Sequence, residues 1–139
     1  MNKFKMNKPK MIYLAGPMKG LKDFNFPAFH KASDYLRSNG FEVGSPAEYN
    51  ERWFGKEVFK GCGDEAILLQ KQPRWNRCTV LSQNIRFVCE EADIVAMLFG
   101  WETSTGATAE HAVGEALGLH IIYQYSDETW PKELLERHK

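Results

Sequence analysis

"DIVAMLFGWETSTGATAEHAVGEALG" (residues 93–118) contains an apolar run, a glycine-rich loop and a segment of helical character, in that order. A short uninterrupted apolar run such as 93–100 is typical of a strand buried on both faces, as the strands of parallel sheets are. The residues after Gly106 then predict a helix that begins with small side chains. This strand–loop–helix unit decides the fold, because parallel strands need long crossovers between them, and those crossovers are usually helical.

The same alternation recurs along the rest of the chain. Three further strands are predicted at 11–15, 41–45 and 119–125, and three further helices at 25–40, 79–93 and 129–139. Asn25 and Thr79 are the predicted N-caps of the first two of these helices. The pattern predicts an α/β fold, a doubly wound parallel sheet of about four to five strands with helices on both faces, Rossmann-like or flavodoxin-like. Right-handed crossovers favour the strand order 2-1-3-4.

Residues 46–78 interrupt this pattern, because they mix aromatic, charged and glycine residues without a clean period. We expect a long excursion with one helical turn near 64–70, and loops of that length are usually functional or mobile. Residues 1–10 are expected to form a flexible tail whose lysines are solvated. The remainder, 11–139, is predicted to be a single domain.

Composition excludes several classes of function. The 139 residues include 18 basic and 18 acidic side chains, so the chain lacks the clustered basic excess of proteins that bind nucleic acid polymers. No apolar run approaches the ~18 residues of a membrane span, so no membrane partner is expected. Three widely spaced cysteines indicate neither a disulfide framework nor a zinc site, which favours a cytoplasmic location.

The strand order predicts where a ligand would bind. Ligands of doubly wound sheets bind beyond the carboxyl ends of the strands at the point where the winding reverses, here between the first and third strands. The loops at that point are "GPMKG" (16–20) and "GWETSTG" (100–106), and we expect them to converge. Their amides and hydroxyls suit an anion such as phosphate, although a flexible turn would have the same composition. Lys19 either neutralises such an anion or is solvated.

Glu110 is the one charged residue near the start of the third predicted helix along the chain, the one that follows Gly106. It shares a face with Val113, Gly114 and Leu117, which is expected to pack on the sheet. The carboxylate should therefore face the predicted cleft. An acid early in a helix also complements the helix dipole, so a structural role stays open from the pattern alone.

Two segments together resemble the nucleoside 2-deoxyribosyltransferase superfamily, and especially its small bacterial and phage-type members similar to deoxynucleoside 5′-monophosphate N-glycosidases. They are "IYLAGPMKG" (12–20) and "EEADIVAMLFGWETSTGATAEHAVGEALG" (90–118). The resemblance covers roughly residues 11–45 and 80–123 and leaves the 46–78 excursion uncovered. It implies hydrolysis or base exchange at the N-glycosidic bond of a 2′-deoxynucleoside 5′-monophosphate.

The resemblance also implies a covalent deoxyribosyl-glutamate intermediate on Glu110, with Tyr13 orienting that nucleophile. Ser104 occupies the position where monophosphate N-glycosidases carry a serine and nucleoside transferases commonly an aspartate, which favours a phosphorylated substrate. No metal or organic cofactor is implied. A homodimer or higher homo-oligomer is expected, because family members complete their sites with a neighbouring subunit. The further expected substrate-binding residues are Gly16, Pro17, Met18, Lys19, Gly106 and Trp101, the last as the residue that stacks on the base.

Asn84, or Ile85 in a shifted register, falls where the family usually carries an aspartate that assists departure of the base. Asparagine can donate a hydrogen bond but cannot supply a proton. Another acid could serve, either Glu48 or Asp64, or the base could leave without strong acid help. Loss of catalysis is a further alternative, which would make the protein a nucleotide-binding or sequestering protein. A third hypothesis is an interaction protein whose contact surface is 46–78.

Overall fold

The computed structural model describes residues 8–138. The predicted tail therefore lies mostly outside the described residues, and so does Lys139 at the end of the last predicted helix; Lys8 and Lys10 are exposed. The four strands of the described chain are β1 (Met11–Ala15), β2 (Glu42–Gly44), β3 (Ile94–Met97) and β4 (His120–Tyr123). They form one parallel sheet in the order β2-β1-β3-β4, which confirms the predicted order.

The helices alternate with these strands. They are α1 (Phe26–Ser38), α2 (Pro46–Phe54), α3 (Glu65–Lys71), α4 (Arg77–Glu90), α5 (Thr105–Ala116) and α6 (Lys132–Arg137). Short 3₁₀ helices lie at Lys22–Asn25, Glu57–Phe59 and Trp101–Thr103. Within residues 8–138, every helix is too short or too polar to cross a bilayer.

Helices cover both faces of the sheet, as predicted for a doubly wound fold. Alternate residues of a strand point to opposite faces. On one face Ile12 and Leu14 of β1 belong to a core that includes Phe29 and Leu36 of α1. On the other face Tyr13 and Ala15 belong to a second core, formed with residues of α4 and α5 that include Val88 and Ala107. The chain therefore has an α/β fold of the Rossmann or flavodoxin type.

The prediction of a long excursion at 46–78 was wrong in its detail. This segment holds α2, a 3₁₀ turn and α3, and it buries Ala47, Phe59 and Leu68 in the core of the α1 face. These elements have nine, three and seven residues, which is too few for a periodic apolar pattern to emerge. The one helical turn expected near 64–70 corresponds to α3.

Thr79 was the wrong N-cap, whereas Asn25 occupies the predicted N-cap position of α1 but makes no side-chain capping bond. The N-cap of α4 lies three residues earlier than expected, at Asn76, which accepts a hydrogen bond from the N–H of Thr79 over 3.0 Å. Asn25 does precede α1, but its side chain donates to the carbonyl of Pro17 over 2.9 Å instead of capping the helix. Asn25 therefore ties the start of α1 to the loop 16–20.

Gly63 holds the 46–78 segment against the same loop. Its carbonyl accepts a hydrogen bond from the N–H of Gly20 over 2.9 Å. A Cβ atom at position 63 would lie 2.1 Å from the carbonyl oxygen of Leu21, so only glycine permits this approach of two backbones.

Gly63→Ala should therefore lower the free energy of unfolding by about 1–3 kcal/mol, the usual cost of forcing extra volume into a packed site. Gly106→Ala is the matched control, because the nearest atom to a Cβ there is 3.9 Å away and the residue lies in a helix. That variant should keep or gain stability, since alanine favours helices by up to about 1 kcal/mol. Urea denaturation of both variants checks the pair, and equal losses would contradict the argument.

Candidate active site

A cavity of about 680 Å³ lies where the sequence predicts a ligand site. The loops 16–20 and 100–106 follow the carboxyl ends of β1 and β3, and both line it. Small-molecule sites commonly have volumes of about 300–1,000 Å³. Eight of the predicted site residues contribute to its wall: Gly16, Pro17, Met18, Lys19, Asn84, Ser104, Gly106 and Glu110.

Tyr13 and Glu110 are joined by a buried hydrogen bond. The Tyr13 hydroxyl donates to Oε2 of Glu110 over 2.8 Å, and Glu110 is only 5% exposed. The bond links the centre of β1 to α5. Burial, reinforced by the negative charge of Glu110, raises the pKa of Tyr13 well above its ordinary value. The phenol therefore stays protonated and can act only as a donor to the carboxylate.

The small residues of α5 bring Glu110 to the cavity. Ala107, one turn before Glu110, is buried, and a Cβ at Gly114, one turn after it, would lie 3.1 Å from Val95 of β3. The helix can approach the sheet closely because its inner face lacks bulk. The prediction that Leu117 shares this face was wrong, since α5 ends at Ala116 and Leu117 is 40% exposed.

Burial raises the pKa of Glu110 from 4.5 to about 7, although hydrogen bonds from Tyr13 and Asn84 act in the opposite direction. A carboxyl group with such a pKa exchanges its proton near neutral pH. Perturbed carboxyl groups in cavities are typical of catalytic sites.

Asn84 reaches Glu110 from α4. Its side chain lines the cavity and lies close enough to the Glu110 carboxylate to lower the pKa of that group through hydrogen bonding. The side-chain amide has no proton that it can transfer at neutral pH. Asn84 can therefore position the carboxylate, but it cannot act as an acid.

Ser104 caps the helix that carries Glu110. Its Oγ accepts a hydrogen bond from the N–H of Ala107 over 3.1 Å, which leaves the hydroxyl proton available to an acceptor in the cavity. The first N–H groups of the twelve-residue helix α5 and the positive end of its dipole lie at the same place. Lys19 is exposed at the rim of the cavity. This end of the cavity suits an anion.

The expectation that Trp101 would stack on a ligand was wrong. Its ring stacks instead on His111 with the centroids 4.3 Å apart, and the residue packs against the core on the α4–α5 face, outside the cavity wall. The short 3₁₀ helix at 101–103 turns the ring in that direction. Trp75 lines the cavity in its place, and its indole N–H donates to Oδ1 of Asn50 over 3.0 Å.

The two acids considered in place of Asn84 both lie outside the cavity wall. Glu48 accepts two hydrogen bonds of 2.6 and 2.7 Å from the guanidinium of Arg37, which lowers its pKa and leaves no proton to transfer. Asp64 caps α3 by accepting from the N–H of Ala66 over 2.8 Å. Both carboxylates therefore have structural partners of their own.

Sequence reasoning missed a charged pair in the cavity wall. Glu65 of α3 and Arg77 of α4 form an ion pair, and both line the cavity. Recognition of Asp64 as an N-cap could have revealed Glu65, because it would have placed Glu65 in the first turn of a short helix. The ion pair joins α3, which lies inside 46–78, to the start of α4 at the border of that segment. The sequence pattern is least regular in this region.

Glu110→Gln should stabilise the protein above neutral pH. The folded-state pKa of Glu110 lies above its unfolded value, so the folded protein holds the proton more tightly and stability falls as pH rises from 4.5 to about 7. The full loss is on the order of 3 kcal/mol. Glutamine carries no charge and avoids it, so urea denaturation at about pH 8 should give a higher free energy of unfolding for the variant.

At about pH 4 the difference should disappear, because Glu110 is then protonated in both the folded and the unfolded states. Glu48→Gln is the matched control and should behave in the opposite way. The pKa of Glu48 is lowered by Arg37, so its ionised form stabilises the fold at neutral pH and the variant should lose stability there. A Glu110→Gln protein that is less stable than wild type at high pH would refute the assignment.

Comparison with models of protein families identifies the family to which the chain belongs. A family model described as a domain of unknown function, DUF4406, matches residues 10–123, so the chain belongs to this family. The matched range contains all four strands and every cavity residue named above. No curated protein matches the chain significantly.

Proposed function

We propose that the protein hydrolyses the N-glycosidic bond of a 2′-deoxynucleoside 5′-monophosphate, or exchanges its base, through a covalent intermediate on Glu110. The observation that carries the proposal is the buried hydrogen bond from Tyr13 to a cavity-lining glutamate whose pKa is raised to about 7. The resemblance of 12–20 and 90–118 to nucleoside 2-deoxyribosyltransferases supports it.

In the first step the Glu110 carboxylate attacks C1′ of the deoxyribose. The C1′–N bond breaks, and its electron pair leaves with the base nitrogen. In the second step water attacks C1′, loses a proton and releases Glu110. The products are the free base and 2-deoxyribose 5-phosphate. Base exchange follows the same course, with the ring nitrogen of a second base replacing water and losing its proton.

The departing base takes its proton from solvent in this mechanism. Glu65 and Glu110 are the carboxylates in the cavity wall formed by residues 8–138. Glu110 is the nucleophile, and Glu65 is held in an ion pair with Arg77. Tyr13 keeps Glu110 oriented throughout, and Asn84 supplies a second hydrogen bond to the carboxylate.

The 5′-phosphate is assigned to the end of the cavity formed by 16–19 and 104–106. Ser104 and the first N–H groups of α5 donate hydrogen bonds there, and Lys19 adds positive charge. Glu110 lies farther along α5, so phosphate and anomeric carbon can be held at once by a single helix.

The first test is release of free base from a panel of deoxynucleoside monophosphates, followed by chromatography. The rate should rise with pH around 7 and level off above it, because only ionised Glu110 attacks C1′. Glu110→Gln should lose at least about a thousandfold in rate, as expected for removal of a nucleophile. Tyr13→Phe should move the midpoint of the pH profile upward. Base release that survives Glu110→Gln would rule out the proposed nucleophile.

Ser104→Asp tests the phosphate end. Aspartate is as good an N-cap as serine, so α5 should keep its start, while the added negative charge repels a phosphate. The variant should lose activity on monophosphates much more than on the corresponding deoxynucleosides. Ser104→Asn is the uncharged control and should keep most of the monophosphate preference, measured as a ratio of kcat/KM values. Equal losses in both variants would refute the assignment.

A second candidate function is nucleotide binding without turnover. The observation that favours it is Asn84, which bonds to Glu110 where an acid is expected from the resemblance. Calorimetric titration showing tight binding of a monophosphate, with no product after hours of incubation, would decide for this alternative.

The proposal also covers the oligomeric state of the protein and its location in the cell. We expect a homodimer or higher homo-oligomer, and the exposed aromatic rings at the carboxyl edge of the sheet support a contact there: Phe99, Tyr123 and Tyr125 are 59%, 43% and 55% exposed. Phe99 also lines the cavity, so such a contact would lie beside the site. Three free cysteines support a reducing, cytoplasmic compartment.

A further inference from the structure

We propose that the Glu65–Arg77 ion pair recognises the outer edge of the nucleobase and selects bases that carry an exocyclic amino group. This inference rests on the proposed function, because it assigns the remaining end of the same cavity. Both residues line the cavity, and neither has a part in the chemistry at C1′.

The spacing of cavity residues along helix α4 gives a distance within the cavity. Asn84, Leu81, Val80 and Arg77 all line it, and they follow one another at intervals of one helical turn or less. Asn84 is bonded to Glu110, so its position marks the reaction centre. Arg77 lies seven residues earlier, which is about 10 Å along the helix axis. That distance is comparable with the width of a base plus a hydrogen bond.

The wall between these two points is suited to the flat faces of a base. Val80 and Leu81 of α4 line it, together with Leu68 of α3 and the indole of Trp75. The hydrogen bond from Trp75 to Asn50 fixes that ring, and a second bond from the Asn50 amide to the carbonyl of Pro46 fixes Asn50. Apolar and aromatic surfaces bind the faces of all bases, so they do not discriminate between bases.

The ion pair provides the groups that can discriminate between bases. Oε1 of Glu65 pairs with Nη2 of Arg77, which leaves the other carboxylate oxygen and the remaining guanidinium N–H groups for a ligand. An acceptor therefore lies beside a fork of donors. Cytosine and adenine present an amino donor beside a ring-nitrogen acceptor, and they match this arrangement. A base with a carbonyl in place of the amino group would direct its oxygen at the Glu65 carboxylate, which is repulsive.

The test compares two substrate pairs in which a carbonyl replaces the exocyclic amino group, namely the 5′-monophosphates of deoxycytidine and deoxyuridine, and those of deoxyadenosine and deoxyinosine. In at least one pair the wild-type protein should prefer the amino base by roughly 5- to 150-fold in kcat/KM, the range expected for one base-edge contact. Glu65→Gln should bring this ratio close to one, because a carboxamide can either accept or donate. Arg77→Gln should weaken binding of both members.

The exposed pair Arg86–Glu90 on the same helix provides the matched controls. Arg86→Gln and Glu90→Gln remove the same charges outside the cavity wall and should leave the ratio unchanged. Equal use of amino and carbonyl bases by the wild type, or a ratio that survives Glu65→Gln, would overturn the inference.

Calorimetric binding of the same nucleotides to Glu110→Gln protein separates this inference from the proposed function. If the wild type releases no base, the proposed function fails, yet the binding ratio still tests the pair. A preference for amino bases in binding, lost in the Glu65→Gln/Glu110→Gln double variant, would support base recognition alone. No preference in binding would refute it.

Discussion

The site depends on one unfavourable burial, that of the Glu110 carboxylate. A carboxylate removed from water loses its hydration, and only partners within the protein can replace it. Tyr13 donates one such bond over 2.8 Å and Asn84 contributes another, yet the pKa still rises to about 7. The remaining deficit leaves the carboxyl group able to exchange its proton near neutral pH, and the proposed role of Glu110 as a nucleophile depends on this property.

Helices α4 and α5, together with the loop that contains Ser104, position the Glu110 carboxylate. The small inner face of α5 lets Glu110 reach the cavity, and α4 brings Asn84 to it. Ser104 fixes the start of α5, so the position of the anion-binding end and that of the carboxylate are set by the same helix. In the proposed arrangement the cavity has an order along its length: the loops suited to an anion at one end, the glutamate between, and the Glu65–Arg77 pair at the other.

The sheet and the central glutamate could be predicted from sequence, whereas the far wall of the cavity could not. The strand at 11–15 and the strand order depend on apolar runs and crossover geometry, which are local or general rules. Glu110 was placed by its neighbours Val113 and Gly114 on one helix face. Trp101 was misplaced because its direction depends on a stacking partner, His111, ten residues away. Glu65 and Arg77 lie on elements that tertiary contacts define.

The hydrogen bond between Tyr13 and Glu110 spans 97 positions of the chain. A contact between residues so distant in sequence requires closure of a large loop, which costs conformational entropy before the contact contributes any stability. A growing polypeptide on the ribosome already exposes Tyr13 long before residue 110 is synthesised. Until Tyr13 and Glu110 come together, the glutamate is hydrated like any exposed carboxylate. An incomplete chain therefore lacks the buried, hydrogen-bonded environment on which the proposed role of Glu110 depends.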